Sequence, residues 1–379
     1  MNARERVGLA MNMEHPDRVP IMSQFSVGFM NQQLLGSDIT PIELWMDPYR
    51  YADALILLRE RFNFDGILVS IHGHDPDWRD SILKLEDVNG SEQATYIDRL
   101  ETYLDNDLPM GAFFEPRENH IDSIQLSDIP ERIDYIPASK GCYIFIDIKQ
   151  PFRIFDILEE KVGGEFSIHG EITSPLDYLL DLQGYEEGLL ALITHPEKSV
   201  QILERFTKGI EALAQGMANH PAVDAIKISS PFAGMGFISP EFYRQFELPY
   251  LSRVVHAIQS EGIPAYVHTC GHIHDRLEII AESGVRGLEC LDPPPIGNVE
   301  LEDAFNRVGT QMFIKGNVDS VHTLLNGDKE LIEVDVRSRL DTGMRNEGFI
   351  LSTACSIAPK VPAEKVKYMS DLVQQYGKY

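Results

Sequence analysis

Eight short apolar runs recur along the chain, and most of them are followed by a segment in which apolar residues return at helical spacing. The runs are VPIMS, DGILVS, EFSIHGEI, AIKISSPF, AYVHTC, GLECLD, MFIKGN and GFILST. The helical segments include YADALILLRERF, PEKSVQILERFTKGIEALAQGMA, SPEFYRQFELPYLSRVVHAIQSEG and HDRLEIIAESG. Strands that alternate with amphipathic helices are typical of parallel βα units. The sequence therefore predicts an α/β fold, a (β/α)8 TIM barrel.

The region of about 79–161 interrupts this alternation. It contains the turn-like DVNGSEQATY, the loop DNDLPMG and the apolar CYIFIDI. We interpret it as an insertion after the second strand, and we expect a hairpin and short helices that cover the barrel mouth. No linker rich in glycine, proline or serine divides the sequence, so residues 1–379 are expected to form a single domain.

The charge and hydropathy of the chain exclude two classes of protein. Its 33 basic and 59 acidic side chains give a formal net charge of −26, which would repel a nucleic-acid backbone. No apolar run approaches the roughly 20 residues that a membrane-spanning helix needs. Residues 1–20 lack the uninterrupted apolar core of an export signal. We therefore expect a cytoplasmic protein that binds neither nucleic acid nor a membrane.

Three side chains that can bind a metal follow two of the predicted strands. His268 and Cys270 lie two residues apart at the end of the fifth strand, so the strand period directs both to one face. Cys355 follows the eighth strand, at the same end of a barrel, where active sites lie. One nitrogen and two sulfur ligands suit zinc and leave its fourth position open. The residues alone leave both a metal site and ordinary core packing open.

Other polar residues also follow predicted strands. His72, His74 and Asp75 come after the second strand, where they could bind substrate or move a proton. The same pattern would arise if these were loop residues that only form hydrogen bonds to the backbone. His169 and Glu171 lie two residues apart on the third strand. From these we select His74, Asp75 and Glu171 as candidate catalytic residues.

The remaining cysteines have simpler interpretations. Cys142 is expected to be a small buried apolar residue. Cys290 ends the sixth strand beside Glu289 and two residues before Asp292. Because side chains alternate along a strand, only one set can point inward. We expect Cys290 to be a thiol packed against helices, with Glu289 or Asp292 reaching the cavity.

Several segments carry a family resemblance that extends along nearly the whole chain. They are RERVGLAMNMEHPDRVP, VHTCGHIHDRLEIIAESGVRGLECLD, MFIKGNVD and GFILSTACSIAPKVPAEKVKYM. Together they resemble the uroporphyrinogen decarboxylase superfamily. A His-x-Cys pair followed by a distant Cys-x-Ile-Ala-Pro is similar to its cobalamin-dependent methyltransferase branch, which includes the enzymes that methylate coenzyme M.

The resemblance implies site residues. It assigns zinc to His268, Cys270 and Cys355, and it suggests a cavity-lining, cofactor-binding turn at Gly316 and Asn317. The segment after the third strand resembles the active-site loop of the family.

One departure disfavours the decarboxylase branch. Its arginine-rich RQAGRY segment is replaced here by SQFSVGF, and no arginine lies between Arg18 and Arg50. A porphyrinogen carries many carboxylates, and arginines are their usual partners. Porphyrinogen decarboxylation therefore has less support than methyl transfer.

Three functions are compatible with these residues. The first is a zinc methyltransferase that moves a methyl group between cobalamin and a small thiol or a methylated or methoxylated substrate. The cobalamin would be carried by a partner corrinoid protein, because the DxHxxG motif of cobalamin-binding domains is absent. The second is a metal-free decarboxylase, and the third is a binding protein without catalysis. The sequence fixes neither the methyl donor nor the direction of transfer, and it leaves a homodimer open.

Overall fold

A parallel sheet of seven strands forms the centre of the described chain, which in this computed structural model comprises residues 1–115, 120–139 and 141–379. The strands of the protein are β1 (Gly66–Val69), β2 (Lys84–Val88), β3 (Ser91–Thr95), β4 (Arg99–Tyr103), β5 (Met110–Phe113), β6 (Tyr135–Ser139), β7 (Cys142–Phe145), β8 (Ser167–Thr173), β9 (Ala225–Ser229), β10 (Ala265–Thr269), β11 (Gly287–Cys290), β12 (Phe313–Val318) and β13 (Phe349–Thr353). The central sheet has the order β1-β8-β9-β10-β11-β12-β13. Its strands confirm seven of the eight predicted strands.

Helices follow most strands of the sheet. They are α1 (Ala3–Met11), α2 (Val27–Gln33), α3 (Pro41–Met46), α4 (Pro48–Phe62), α5 (Arg153–Val162), α6 (Pro175–Gln183), α7 (Tyr185–Thr194), α8 (Pro196–Ala218), α9 (Pro240–Phe246), α10 (Leu248–Gln259), α11 (Leu277–Ala281), α12 (Leu301–Val308), α13 (Lys329–Gly343) and α14 (Ala363–Tyr376). None of the helices in the described ranges has the length and apolar content that a bilayer crossing requires.

The helix predictions differ from the structure mainly where a proline intervenes. The segment 196–218 is one helix, α8, as predicted. The segment 239–262 is divided into α9 and α10, because Pro249 lacks the amide hydrogen that a continuous helix would need. Residues 274–276 form a 3-10 turn, and the regular helix α11 begins only at Leu277.

Residues 19–22, predicted as the first strand, connect the two edges of the sheet. The amide of Met22 donates to the carbonyl of Leu351 on β13 at 3.0 Å. On the other side, the amide of Asp65, just before β1, donates to the carbonyl of Ile21 at 2.8 Å. The central sheet therefore curls round until its two edge strands are joined through this segment.

The segment predicted as an insertion lies between β1 and β8. Its described residues form an antiparallel sheet, β2-β3-β4-β5, and a second antiparallel pair, β6-β7. We expected one hairpin and short helices, so the segment contains more sheet than its weak periodicity indicated. Asn89 and Gly90 form a two-residue turn with positive φ values of 56° and 85°, the geometry that Asn-Gly favours in hairpins.

The segment that connects the two edges of the sheet, residues 19–22, is called the closing segment, and a buried carboxylate holds it in place. Asp65 accepts a hydrogen bond from Nη1 of Arg6 at 2.7 Å and from Nη1 of Arg18 at 2.8 Å. It also accepts from the amide of Ile21 at 2.8 Å. The carboxylate therefore joins α1, the closing segment and β1 where the strands begin.

Replacement of Asp65 tests this role. Asp65→Asn leaves the Arg6 and Arg18 charges without their buried partner, and we expect it to lower the free energy of unfolding by about 3–5 kcal/mol. Denaturant unfolding followed by circular dichroism measures the change. Asp38→Asn, which breaks an exposed ion pair with Arg50, is the matched control and should change stability little. Equal effects of the two substitutions would contradict the assigned role of Asp65.

A second buried acidic group lies where β8 and β9 end. The Ser230 hydroxyl donates to Oε1 of Glu247 at 2.7 Å, and the Ser174 hydroxyl donates to Oδ2 of Asp177 at 2.8 Å. Burial raises the pKa of Glu247 to about 7. Burial and the charge of Glu247 raise the pKa of Asp177 well above its usual range. Folding therefore favours the protonated form of these carboxyl groups.

This preference predicts a pH dependence of stability. Between the ordinary glutamate pKa of 4.5 and the folded value of about 7, the folded protein binds the proton of Glu247 more tightly than the unfolded chain does. Stability then falls as pH rises through this window, by at most about 3 kcal/mol for this group. Glu247→Gln should remove its share of the slope in unfolding titrations at several pH values. Glu160→Gln, at an exposed position of α5, is the control and should leave the slope as it is.

Candidate metal centre and its cavity

The side chains predicted to bind a metal meet at one end of the central sheet. His268 lies on β10, Cys270 follows that strand, and Cys355 follows β13. The chain order places β10 and β13 far apart, but the curled sheet brings the carboxyl ends of its strands round one opening. Cys290, the last residue of β11, belongs to the same group of side chains.

The distances within this group suit a tetrahedral metal ion. Nε2 of His268 lies 3.2 Å from Sγ of Cys270 and 4.0 Å from Sγ of Cys355. The two sulfur atoms are 3.9 Å apart. Zinc bonds of about 2.3 Å to sulfur and about 2.0 Å to nitrogen place tetrahedral ligands about 3.5–3.8 Å from one another. The three side chains therefore fit a zinc ion with only small adjustments.

The orientation of His268 is set by Glu289. Nδ1 of the imidazole lies 2.7 Å from Oε2 of Glu289, which is adjacent to His268 in the register of β10 and β11. This contact uses one ring nitrogen and leaves Nε2 facing the sulfur atoms. Carboxylates that hold the second nitrogen of a metal-binding histidine fix its tautomer and raise its basicity.

Glu289 is itself part of a buried group of charges inside the sheet. Lys315 donates to its Oε1, and Nζ of Lys227 lies 3.9 Å from Oε2. Lys227 also contacts Oε1 of Glu171 at 2.7 Å and donates to Oε1 of Gln24 at 2.7 Å. Burial opposes ionisation of Glu289, but the charges of Lys315 and Lys227 outweigh it and lower its pKa far below the usual range. The acceptor of His268 is therefore an ionised carboxylate.

Neighbouring groups shift the pKa values of Cys355 and His268. The hydrogen bond with Cys270 and further contacts with Cys290 and His268 lower the pKa of Cys355 well below its usual value, although burial acts in the opposite direction. Burial disfavours the charged form of His268, but the Cys270 charge raises its pKa overall. Cys355 is thereby biased toward the thiolate form that metal binding requires.

Cys290 differs from its sequence-based interpretation. We expected a thiol packed against helices, whereas its sulfur lies within 4.8 Å of the ligand atoms of His268 and Cys270. Its φ of 84° and the φ of 53° at Leu291 interrupt the alternation of the strand. The side chains of Glu289 and Cys290 therefore both reach the candidate metal centre, although the two residues are consecutive. The Cys290 thiol donates a hydrogen bond to Oδ2 of Asp292 at 3.3 Å.

A cavity of about 420 Å³ opens beside the cluster. His268 and Cys355 line it together with Glu171 and Lys227. Its apolar wall includes aromatic side chains from several elements, namely Phe25, Trp45, Tyr51, Tyr185 and Phe232. The insertion supplies another part of the wall through residues 107–108, 136–138 and 144. This volume is in the range of small-molecule sites and gives a ligand direct access to two of the candidate metal ligands.

The histidines after β1 lie behind this wall. His74 is buried and packs against Tyr51 with ring centroids 5.5 Å apart, and burial lowers its pKa to about 3. Burial likewise lowers the pKa of His72 to about 4. Asp75 is exposed at the surface. His74 and Asp75 do not contribute to the described cavity lining, so their catalytic roles stay predictions.

His169 has an internal role. Its Nδ1 lies 3.0 Å from the hydroxyl of Tyr266, and its Nε2 lies 3.1 Å from the hydroxyl of Ser167. Both partners are buried inside the sheet. Both ring nitrogens of His169 therefore have partners within the protein, and its position on β8 needs no role in substrate binding.

Gly316 and Asn317 lie next to Cys290 rather than along the described cavity wall. A Cβ atom at Gly316 would come within 2.9 Å of the carbonyl oxygen of Cys290, so β12 can approach this closely only with glycine. The Asn317 amide donates to the carbonyl of Leu291 at 2.8 Å. Both residues therefore shape the backbone that carries Cys290, and direct cofactor binding by them stays a prediction.

Lys227 and Lys315 were not selected as site residues from the sequence, and Glu289 or Asp292 was expected to reach the cavity, whose described lining includes neither. The sequence does contain a signal for the two lysines, because AIKIS and FIKGN each place one lysine within an otherwise apolar strand. A buried lysine needs an acidic partner, and the neighbouring strands supply Glu171 and Glu289. The pairing itself depends on strand register, which the sequence alone does not give.

Comparisons with known proteins agree with this architecture. Methylcobamide:CoM methyltransferase MtbA of Methanosarcina acetivorans is 29% identical over 220 residues, which cover 58% of this chain and 61% of the relative. A uroporphyrinogen decarboxylase of Geobacter metallireducens is 24% identical over 354 residues, which cover 89% of this chain and 95% of that protein. The solved structure of a methyltransferase from Methanosarcina mazei superposes with a TM-score of 0.73 at 20% identity and covers 99% of both chains. That structural likeness supports the fold.

The family assignment comes from a longer match. A family model described as uroporphyrinogen decarboxylase (URO-D) matches residues 143–376, which include β8 to β13 and the whole candidate metal centre. This match extends over more than half of the sequence. The chain therefore belongs to the uroporphyrinogen decarboxylase family.

Proposed function

We propose that the protein is a zinc-dependent methyltransferase built as one (β/α)8 barrel domain of residues 1–379. It moves a methyl group between the corrinoid of a partner protein and a small thiol or methylated substrate. The observation that carries the proposal is the cluster of His268, Cys270 and Cys355 beside a cavity of about 420 Å³. The relatives named methylcobamide:CoM methyltransferase support the same chemistry.

His268, Cys270 and Cys355 would hold the zinc ion through one nitrogen and two sulfur atoms. When bound, zinc supplies the Lewis acidity that makes a substrate sulfur nucleophilic or polarises the oxygen of a methylated substrate. Glu289 keeps Nε2 of His268 directed at this position through its 2.7 Å contact with Nδ1. Two anionic cysteine ligands keep the centre electron-rich, which favours attack on a methyl group.

Glu171 is the candidate for substrate positioning. It lines the cavity, and its Oε1 is held by Lys227 at 2.7 Å and by the Ser229 hydroxyl at 2.5 Å. Burial opposes its ionisation, but Lys227 lowers its pKa overall, so Glu171 is an ionised hydrogen-bond acceptor. It would orient a polar hydrogen of the substrate while the aromatic wall excludes water.

The corrinoid would approach from outside the barrel. A cavity of about 420 Å³ holds a small molecule but not a corrin ring with its side chains. The insertion forms part of the cavity wall, so the partner would dock along that side of the mouth. The net charge of −26 suits a partner with a basic patch.

Porphyrinogen decarboxylation is the alternative that the family name raises. The segment SQFSVGF places Gln24 and Phe25 at the cavity, where a polycarboxylate would need cations. Lys227 and Lys315 are already paired with Glu171 and Glu289. Because both lysines already have acidic partners, they are not free to bind the carboxylates of a porphyrinogen. The pairing therefore favours methyl transfer over decarboxylation.

Removal of metal ligands tests the proposed function. His268→Ala and Cys355→Ala should abolish methyl transfer from methylcobamide to a thiol and lower zinc content, because each removes one of three ligands. Circular dichroism should stay unchanged, since the ligands serve the cavity rather than the apolar core. Cys142→Ser is the matched control, because Cys142 is buried in β7 outside the cluster.

Methyl transfer is followed by the spectrum of the corrinoid, with and without a chelator. Activity that survives chelation, or loss of activity with unchanged zinc in both ligand variants, would contradict the role of the metal. Formation of coproporphyrinogen from uroporphyrinogen, with no change in any corrinoid spectrum, would favour the decarboxylase alternative.

The contact between Glu289 and His268 gives a separate prediction. Glu289→Gln weakens the bond that holds Nδ1 and leaves Lys315 without its carboxylate, so zinc affinity should fall about 10–100-fold. Competition with a chromophoric chelator measures this affinity. Glu282→Gln, which changes an exposed ion pair with Arg244, is the control and should leave the affinity as it is. Equal zinc affinities of Glu289→Gln and the wild type would overturn the positioning role of Glu289.

A further inference from the structure

We propose that Cys290 is a third sulfur ligand, so that the resting metal site has one nitrogen and three sulfur ligands. The proposal rests on the proposed function, because it concerns the same metal ion. It adds a residue that the resemblance to the family does not assign. The position of the Cys290 sulfur at the end of β11, beside the ligand atoms of His268 and Cys270, carries it.

The position of the Cys290 sulfur is the first argument. It lies within 4.8 Å of the ligand atoms of both His268 and Cys270. The sulfur of Cys270 is in turn 3.9 Å from the sulfur of Cys355, so three cysteine sulfur atoms gather near Nε2 of His268. A tetrahedral zinc ion needs four atoms that are all neighbours of one another, about 3.5–3.8 Å apart. Cys290 lies near enough to His268 and Cys270 to become the fourth ligand after an adjustment of the side chains.

The surroundings of Cys290 are the second argument. The side chain is fully buried, and buried cysteines usually pack among apolar groups. Here the thiol instead donates to Oδ2 of Asp292 and lies within 4.8 Å of the sulfur of Cys270. Gly316 allows β12 to approach the Cys290 carbonyl, and Asn317 holds the following carbonyl at Leu291. The structure thus keeps the sulfur inside the cluster rather than among the helices.

A complete set of four protein ligands has a chemical consequence. The substrate must take the place of one ligand, and Cys290 is the one with another acceptor nearby, Asp292 at 3.3 Å. A thiol substrate would take the place of Cys290 as a ligand of the bound zinc, and the thiol proton would pass to the released Cys290 sulfur. The Cys290 S–H would then donate to Oδ2 of Asp292, the contact that the structure shows. Cys290 thus closes the site to water until a substrate arrives.

X-ray absorption of the zinc-loaded full-length protein tests the proposal directly. The wild type should give three sulfur ligands and one nitrogen ligand per zinc. Cys290→Ser should give two sulfur ligands, and Cys142→Ser, the matched cysteine control, should keep three. With cobalt(II) in place of zinc, Cys290→Ser should lose about a third of the sulfur-to-metal charge-transfer absorbance, in keeping with the loss of one of three thiolates.

The outcomes separate this proposal from the proposed function. Two sulfur ligands in the wild type, in a preparation that transfers methyl groups, would overturn the role of Cys290 and leave the methyltransferase assignment standing. Wild-type protein that binds no metal would overturn both. If Cys290→Ser does not fold, the sulfur count of the wild type still decides the question.

Discussion

The contact between Glu289 and His268 links the interior of the curled sheet to the candidate metal centre. The imidazole nitrogen Nδ1 lies 2.7 Å from the carboxylate, and the carboxylate is held in turn by Lys315. Because all three side chains are buried, each charge depends on its neighbour, and none can turn away without leaving a partner unpaired. The direction of Nε2, and with it the geometry of the cluster, follows from this chain of contacts.

The two ends of the sheet have different roles. At the end where strands begin, Asp65 joins Arg6, Arg18 and the closing segment 19–22, and so holds the segment that connects the two edges of the sheet. At the other end the strands deliver polar side chains to a common opening. This separation lets the candidate site carry buried charges and cysteines while the apolar core and the Asp65 group stabilise the fold.

Much of this arrangement could be predicted from the sequence. The strand period placed His268 and Cys270 on one face, and the order of the strands placed Cys355 at the same end of the barrel. Cys290 could not be placed in the same way, because its φ of 84° breaks the alternation on which the prediction depended. The burial of His74 and the exposure of Asp75 depend on how the insertion packs, which local periodicity does not encode.

Anomalous X-ray diffraction at the zinc absorption edge tests the central claim most directly, because it locates the metal without an assay or a substrate. The account predicts one strong peak within bonding distance of Nε2 of His268 and the sulfur atoms of Cys270 and Cys355. No peak at this place in crystals grown with zinc, or a disulfide joining two of these cysteines, would contradict it.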